Sequence, residues 1–257
     1  MMKKRNLILA LGLFVGLNLS AQDNKGLEIA KAAETADEGF MNSQVDLTMT
    51  LKNKNGQVST RKMKNKTLEL TTDGDKSMIT FLSPRDVKGT STLTFTHKEG
   101  SDDQWLYLPA LKRVKRISSS NKSGPFMGSE FAYEDLSSQE VEKYTYKFIE
   151  ENGNLLVVEQ DPVDPKSGYT RRLVTYNKDK GYRVEKIEFY DRKNSKLKTL
   201  TYTGYNLYQN KFWRADKMIM INHQSNKETE LLFENYVFGS DLTDADFNQN
   251  ALKRAGK

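Results

Sequence analysis

The residues best suited to covalent chemistry lie between Ser119 and Gly168. Ser119-Ser120-Asn121-Lys122 has the S-x-x-K spacing in which a lysine amine can activate a serine hydroxyl, and Lys122-Ser123-Gly124 and Lys166-Ser167-Gly168 are K-T-G-like triplets of the kind that accompany it in acyl transfer. The chemistry needs two lysines in separate places, however, and the first triplet shares Lys122 with the S-x-x-K. Neither Ser119 nor Lys122 opens a plausible helix. The two histidines, His97 and His223, fall in strand-like sequence with no adjacent carboxylate to orient a base. Asp161 and Asp164 flank Pro162 and Pro165 in a plain turn, and no Gly-rich phosphate loop follows a strand. The absence of Cys excludes thiolate metal sites, iron–sulfur clusters, disulfides and cysteine nucleophiles. The sequence therefore predicts a binding protein, not an enzyme, with no metal and no cofactor.

The elements that would position a binding site are legible from hydrophobic periodicity. Aliphatic and aromatic residues are too plentiful for a disordered chain. In Asn24–Phe40 the residues Leu27, Ala30, Ala33, Ala36 and Phe40 recur at three- and four-residue steps, which predicts an amphipathic helix. Beyond it the period becomes two. Thirteen strands are expected at 43–52, 59–71, 75–83, 90–97, 103–108, 111–117, 143–150, 154–160, 169–176, 182–190, 196–205, 212–223 and 227–238. Hairpin pairs such as Asn55-Gly56, Asp73-Gly74, Asn152-Gly153 and Lys180-Gly181 separate them, and the connections are too short for crossover helices. The expected fold class is mainly β with some α: a curved antiparallel sheet forming an open or closed barrel-like half shell, with an N-terminal helix and a short C-terminal helix at 243–254. The exception to the strand pattern is Ser118–Ser138, rich in Ser and Gly, a loop of a length that is usually functional or disordered.

The first twenty-one residues read as a secretory leader: Lys3, Lys4 and Arg5, an apolar run over Asn6–Leu17, and small residues before a cut after Ala21. The division is then 1–21 leader and 22–257 binding domain, in an exported protein. Export also revises the charge. The chain carries 40 basic against 34 acidic residues, and losing the leader leaves 37 against 34. Five of those bases, Lys112, Arg113, Lys115, Arg116 and Lys122, fall between Asp103 and Glu130, an interval without any acid. Basicity so confined fits an anionic membrane surface or lipid head group, and equally a solvated edge strand guarded by its charges, better than nucleic acid.

The least generic stretch is Trp105-Leu106-Tyr107-Leu108-Pro109, followed by the basic strand and by Gly128-Ser129-Glu130-Phe131-Ala132-Tyr133-Glu134-Asp135-Leu136. In these residues the chain resembles the outer-membrane lipoprotein-sorting family, the periplasmic LolA-like carriers. The resemblance implies an unclosed antiparallel barrel whose apolar concavity, under short helices or loops, ferries acylated cargo. On that reading Trp105, Tyr107, Phe126, Met127, Phe131 and Tyr133 line or gate the cavity, and the adaptable thioethers of Met49, Met78, Met218 and Met220 add to its lining. Taken singly, each reads more readily as ordinary core. Lys112, Arg113, Lys115 and Arg116 would contact head groups or a partner. The implied partners are an acylated lipoprotein or lipid cargo, an inner-membrane transporter and a transient membrane contact, with no nucleic acid, for a monomer. A second reading makes the same half-shell an accessory or sensor of a lipid exporter, recognising cargo without carrying it.

Overall fold

The computed structural model describes residues 14–255. The expected leader lies outside the described residues over positions 1–13, and the first helix, α1 (Phe14–Asp37), runs continuously through the expected cleavage point. All thirteen anticipated strands form. They are β1 (Asn42–Lys52), β2 (Val58–Leu68), β3 (Lys76–Ser83), β4 (Ser91–Phe95), β5 (Asp103–Leu108), β6 (Arg113–Ile117), β7 (Tyr144–Asn152), β8 (Leu155–Pro162), β9 (Tyr169–Asn177), β10 (Arg183–Asp191), β11 (Lys196–Tyr208), β12 (Phe212–Asn222) and β13 (Lys227–Phe238). They make one antiparallel sheet in the order β6-β5-β4-β3-β2-β1-β13-β12-β11-β10-β9-β8-β7.

That order is an up-and-down meander with its ends moved. The first and last strands pair in the middle of the sheet, Met49 opposite Leu231, so the free edges are β6 and β7, which are neighbours in sequence. The sheet is not closed into a barrel. Period-two alternation gives it an inner face, on which Val45, Leu47 and Met49 of β1, Met63, Phe81, Val158, Val174, Ile187, Leu200 and Met220 form the main core. On the outer face Met78, Leu93, Trp105 and Tyr107 pack beneath Phe247 and Leu252 of the C-terminal segment. The helix expected at 243–254 is split there into a 3-10 turn at Asp244–Asp246, closed by the Thr243–Asp246 capping box, and α2 (Gln249–Arg254), capped by Asn248. Phe247, with φ −118° and ψ 69°, leaves helical geometry between them to dock inward.

Helix α1 packs chiefly on β7, with Leu27, Ile29, Ala30 and Ala33 toward the inner core. Gly26 permits the close approach: a Cβ there would lie 2.9 Å from the Phe148 backbone nitrogen. The segment 118–143 has to travel from one free edge to the other, and it does so across the inner face in a series of 3-10 turns. Phe126, 1% exposed, and Phe131 enter the core, Phe126 against Phe81 and Tyr133 at ring-centroid distances of 5.7 Å. Backbone and side chains of the segment are tied to strands from both halves of the sheet. Arg61 of β2 donates to the Met127 carbonyl, Gln104 of β5 to the Tyr133 carbonyl, and the Glu130 amide to Thr229 Oγ1 of β13. Most buried of these ties is the ion pair of Lys198 Nζ with Asp135 Oδ2, 2.6 Å apart with side chains 4% and 5% exposed. Asp135 also accepts from the Ala132 amide and the Tyr169 hydroxyl, and Lys198 donates to the Glu130 carbonyl.

A buried pair stripped of one partner leaves an uncompensated charge. Lys198→Met should therefore cost about 3–5 kcal/mol in urea unfolding, whereas Lys196→Met, whose partner Glu188 is part-exposed, should cost less than about 1 kcal/mol. Equal losses in the two variants would contradict the assignment of Lys198–Asp135 as the main polar tie.

Candidate functional site

Where the crossing segment ends, the inner face stays open. A cavity of about 910 Å³ lies between α1 and the sheet, within the range of small-molecule sites. Ala30 and Ala33 of α1 form one wall; Val45, Val184, Met218 and Phe233 contribute aliphatic and aromatic surface from the strands. The distinctive lining is tyrosine: Tyr146, Tyr176, Tyr202, Tyr205 and Tyr236, with Trp213 nearby. Their rings supply apolar surface, and three of the five hydroxyls have partners inside the protein. Tyr146 donates to the Val141 carbonyl at 2.8 Å, Tyr205 to the Val184 carbonyl, and Tyr176 accepts from Gln160 Nε2 at 2.7 Å. Burial pushes the Tyr176 hydroxyl up to about 12 and those of Tyr146, Tyr202, Tyr205 and Tyr236 higher still, so all five are neutral.

One end of this cavity is acidic. Glu34 of α1, Asp75 and Glu140 line it together. Desolvation, with Asp75 and Glu34 as like-charged neighbours and Lys98 and Lys143 opposing, raises the Glu140 carboxyl to about 7. Burial raises Asp75 to about 6 against the hydrogen bonds it accepts from the Leu70 amide and the Ser138 hydroxyl, with Glu69 and Asp37 adding repulsion.

The residues expected to line or gate a cavity separate into three places. Met218 reaches the cavity itself. Met49, Met220, Phe126, Met127, Phe131 and Tyr133 belong to the inner core beside it, under the crossing segment. Trp105, Tyr107 and Met78 lie on the outer face beneath α2, because strand pairing sets Met78 opposite Leu93 and Leu93 opposite Trp105, out of phase with Ile79 and Phe81. The expectation that these three face the concavity is corrected by that parity. Of the basic residues, Arg116 pairs with Asp103, whereas Lys112, Arg113 and Lys115 have no acidic partner among the described residues. They share the free-edge hairpin with Leu111, which is 61% exposed.

The discounted catalytic groups have other partners. Lys122 pairs with Asp164 at 2.7 Å, and Lys166 donates to Ser119 on exposed surface. His97 has the carboxylates its sequence neighbours did not suggest: Nδ1 lies 2.7 Å from Asp73 and Nε2 3.4 Å from Asp103. Asp73 also accepts from the Lys98 amide, which makes this a turn clamp between two hairpins. The cavity tyrosines and Trp213 escaped the sequence reading, although Tyr202 continues the inward alternation of Leu200 and Lys198 in β11. Among the described residues no helix is long and apolar enough to cross a membrane.

A family model described as an uncharacterized protein matches residues 73–254. Among solved structures, the chain is 53% identical to a domain from Vibrio parahaemolyticus described as an outer membrane lipoprotein-sorting protein, over 90% of this chain and 100% of that one, with a TM-score of 0.88. A DUF1329 family protein from Desulfovibrio piger is 26% identical over 90% and 99% of the two chains, with a TM-score of 0.83. A LolA superfamily protein from Nitrosomonas europaea shares the fold at 18% identity and a TM-score of 0.70, over 88% of this chain and 98% of that one. No curated protein matches the chain.

The acidic end of the cavity sets a pH dependence. The Glu140 and Asp75 carboxyls ordinarily titrate at 4.5 and 3.8 and are raised only in the folded chain, so between about pH 4.5 and 7 the folded state holds more protons than the unfolded. Their contribution is full below that window and is lost as pH rises through it. His97, raised by Asp73 and Asp103, acts in the same direction. Urea midpoints in EDTA should fall between about pH 5 and pH 7.5, and Glu140→Gln should flatten the slope. A midpoint that rises over this interval would contradict the placement of these groups.

Proposed function

The chain belongs to the outer-membrane lipoprotein-sorting, LolA-like family, and from that premise and the cavity beneath α1 we propose that it is a periplasmic carrier for the acyl chains of lipoproteins or lipids. The fold is that of a lipid or lipoprotein carrier in general. The finer reading rests on one observation: a cavity of about 910 Å³ walled by tyrosine rings, aliphatic side chains and the small side chains Ala30, Ala33 and Ala36 of α1, with carboxylates gathered at one end. A 16-carbon acyl chain in water costs on the order of 12 kcal/mol at ~0.8 per methylene, so a carrier must enclose it nearly completely and yet release it. Small α1 side chains leave the room, and neutral tyrosines offer broad apolar surface without a fixed polar pattern that would demand one cargo shape. The work done is sequestration, with no bond made or broken.

In this proposal the leader is cut after Ala21, an inner-membrane transporter loads the cavity, and the cargo moves toward the outer membrane. Phe126, Met127, Phe131 and Tyr133 hold the crossing segment in place beside the cargo, and α1 is the cover that gives way. Lys112, Arg113 and Lys115, next to exposed Leu111 on the free-edge hairpin, meet anionic head groups or an acidic partner surface.

The test is the cargo itself. Protein purified from its native periplasmic fraction and extracted with organic solvent should yield stoichiometric lipid or acylated peptide by mass spectrometry. Lipid-free protein that also fails to keep an acylated peptide soluble would overturn the carrier reading.

A further inference from the structure

One buried charged side chain on the cavity wall has no partner among the described residues. Glu140 is 8% exposed, and its carboxylate makes no hydrogen bond or ion pair there. The Lys98 ammonium lines the same cavity without forming an ion pair with it, and the neighbouring carboxylates, exposed Glu38 apart, are engaged. Asp73 holds His97 and the Lys98 amide, Asp75 the Leu70 amide and Ser138, Glu69 the Gly39 and Met41 amides, and Asp37 pairs with Arg214. Lys143, three residues from Glu140, is turned to Asp102. A buried carboxylate in this position is costly unless a proton or a cation joins it.

Two further carboxylates complete a donor set. One oxygen each of Glu34, Glu140 and Glu142 lie within 4.8 Å of one another. Hard carboxylate oxygens select Ca²⁺-class or Mg²⁺-class ions, and oxygens gathered to this degree from separate elements suit the long, flexible coordination of Ca²⁺, at about 2.3–2.6 Å, better than the near-ideal octahedron that Mg²⁺ demands at about 2.0–2.1 Å. The three residues also come from different places. Glu34 follows Ala33, the α1 residue on the cavity wall, while Glu140 and Glu142 belong to the turn that leads into β7. Among the described residues the only polar link between helix and turn at this point is a long one, the Val141 amide donating to Glu34 at 3.4 Å.

We propose that Glu34, Glu140 and Glu142 bind a divalent cation of the Ca²⁺ class, which clips α1 to the 140–142 turn at the cavity mouth. With the ion present the three negative charges attract a common centre and the helix is held over the cavity; without it they repel and the helix is easier to lift. The role as a clip rests on the reading of α1 as the cavity's cover, whereas the ion site stands on its own geometry.

Calorimetric titration of the EDTA-stripped protein with CaCl₂ tests the site. One Ca²⁺ per chain is expected, with Kd of about 10⁻⁴–10⁻³ M, the range of extracellular modules, and weaker binding of Mg²⁺. Glu140→Gln should weaken Ca²⁺ by at least about ten-fold, while its thermal midpoint in EDTA stays no lower than that of the unsubstituted chain, which shows that the variant is folded. Absence of Ca²⁺ binding, or a Glu140→Gln variant that binds as tightly, would overturn the site. Uptake of an acylated peptide, measured in EDTA, separates the two readings: uptake without Ca²⁺ binding sinks the cation site alone, and Ca²⁺ binding without uptake leaves the site standing and sinks the carrier.

Discussion

The connection from β6 to β7 is the constraint on which the rest of the molecule depends. Because β1 and β13 pair at the centre of the sheet, the two free edges belong to strands joined by a single stretch of chain, 118–143. That stretch spans an unclosed sheet across its apolar inner face, and its backbone polar groups must be satisfied where little water reaches. Arg61, Gln104, Thr229 and Lys198 supply the partners from β2, β5, β13 and β11. The Lys198–Asp135 pair anchors the middle of the segment, and Phe126 and Phe131 fill the space beneath it.

Fixing the segment in this way divides the concavity. One part is filled by the chain's own aromatic residues and held by buried polar ties. The other is covered by α1, which sets Ala30, Ala33 and Ala36 against it with Glu34 at the acidic end, and it keeps a volume suited to a ligand. Rigidity and opening are thus assigned to different elements: hydrogen bonds and an ion pair secure the crossing segment, while the helix is held by the apolar packing of Leu27, Ile29, Ala30 and Ala33 and by part-exposed ion pairs, Lys25 with Glu151 and Asp37 with Arg214. Exposed pairs of this kind contribute little, which suits a cover that has to move when cargo enters.

Much of the fold was legible because period-two alternation and hairpin residues are local signals, and each of the thirteen strands carries its own. The central pairing of β1 with β13 has no local signal; it follows from tertiary packing between segments nearly two hundred positions apart. The site was less legible for a related reason. Residue type identifies an aromatic strand, but which face it presents depends on register. Trp105 and Tyr107 stand out in the sequence and lie under α2 on the outer face, while Tyr146, Tyr176 and Tyr202 sit unremarked in ordinary-looking strands and line the cavity. Likewise His97 acquires Asp73 only when β3 and β4 fold into a hairpin.

The two tryptophans allow the central claim to be tested, since they report from opposite faces: Trp213 lines the cavity and Trp105 packs under the C-terminal helix. Fluorescence quenching by an acylated peptide with a brominated chain reads the location of the acyl group directly. In Trp105→Phe the remaining Trp213 should be quenched saturably, and in Trp213→Phe the remaining Trp105 should keep its emission. Quenching of Trp105 with Trp213 unaffected would place the acyl chain outside the cavity and contradict the account.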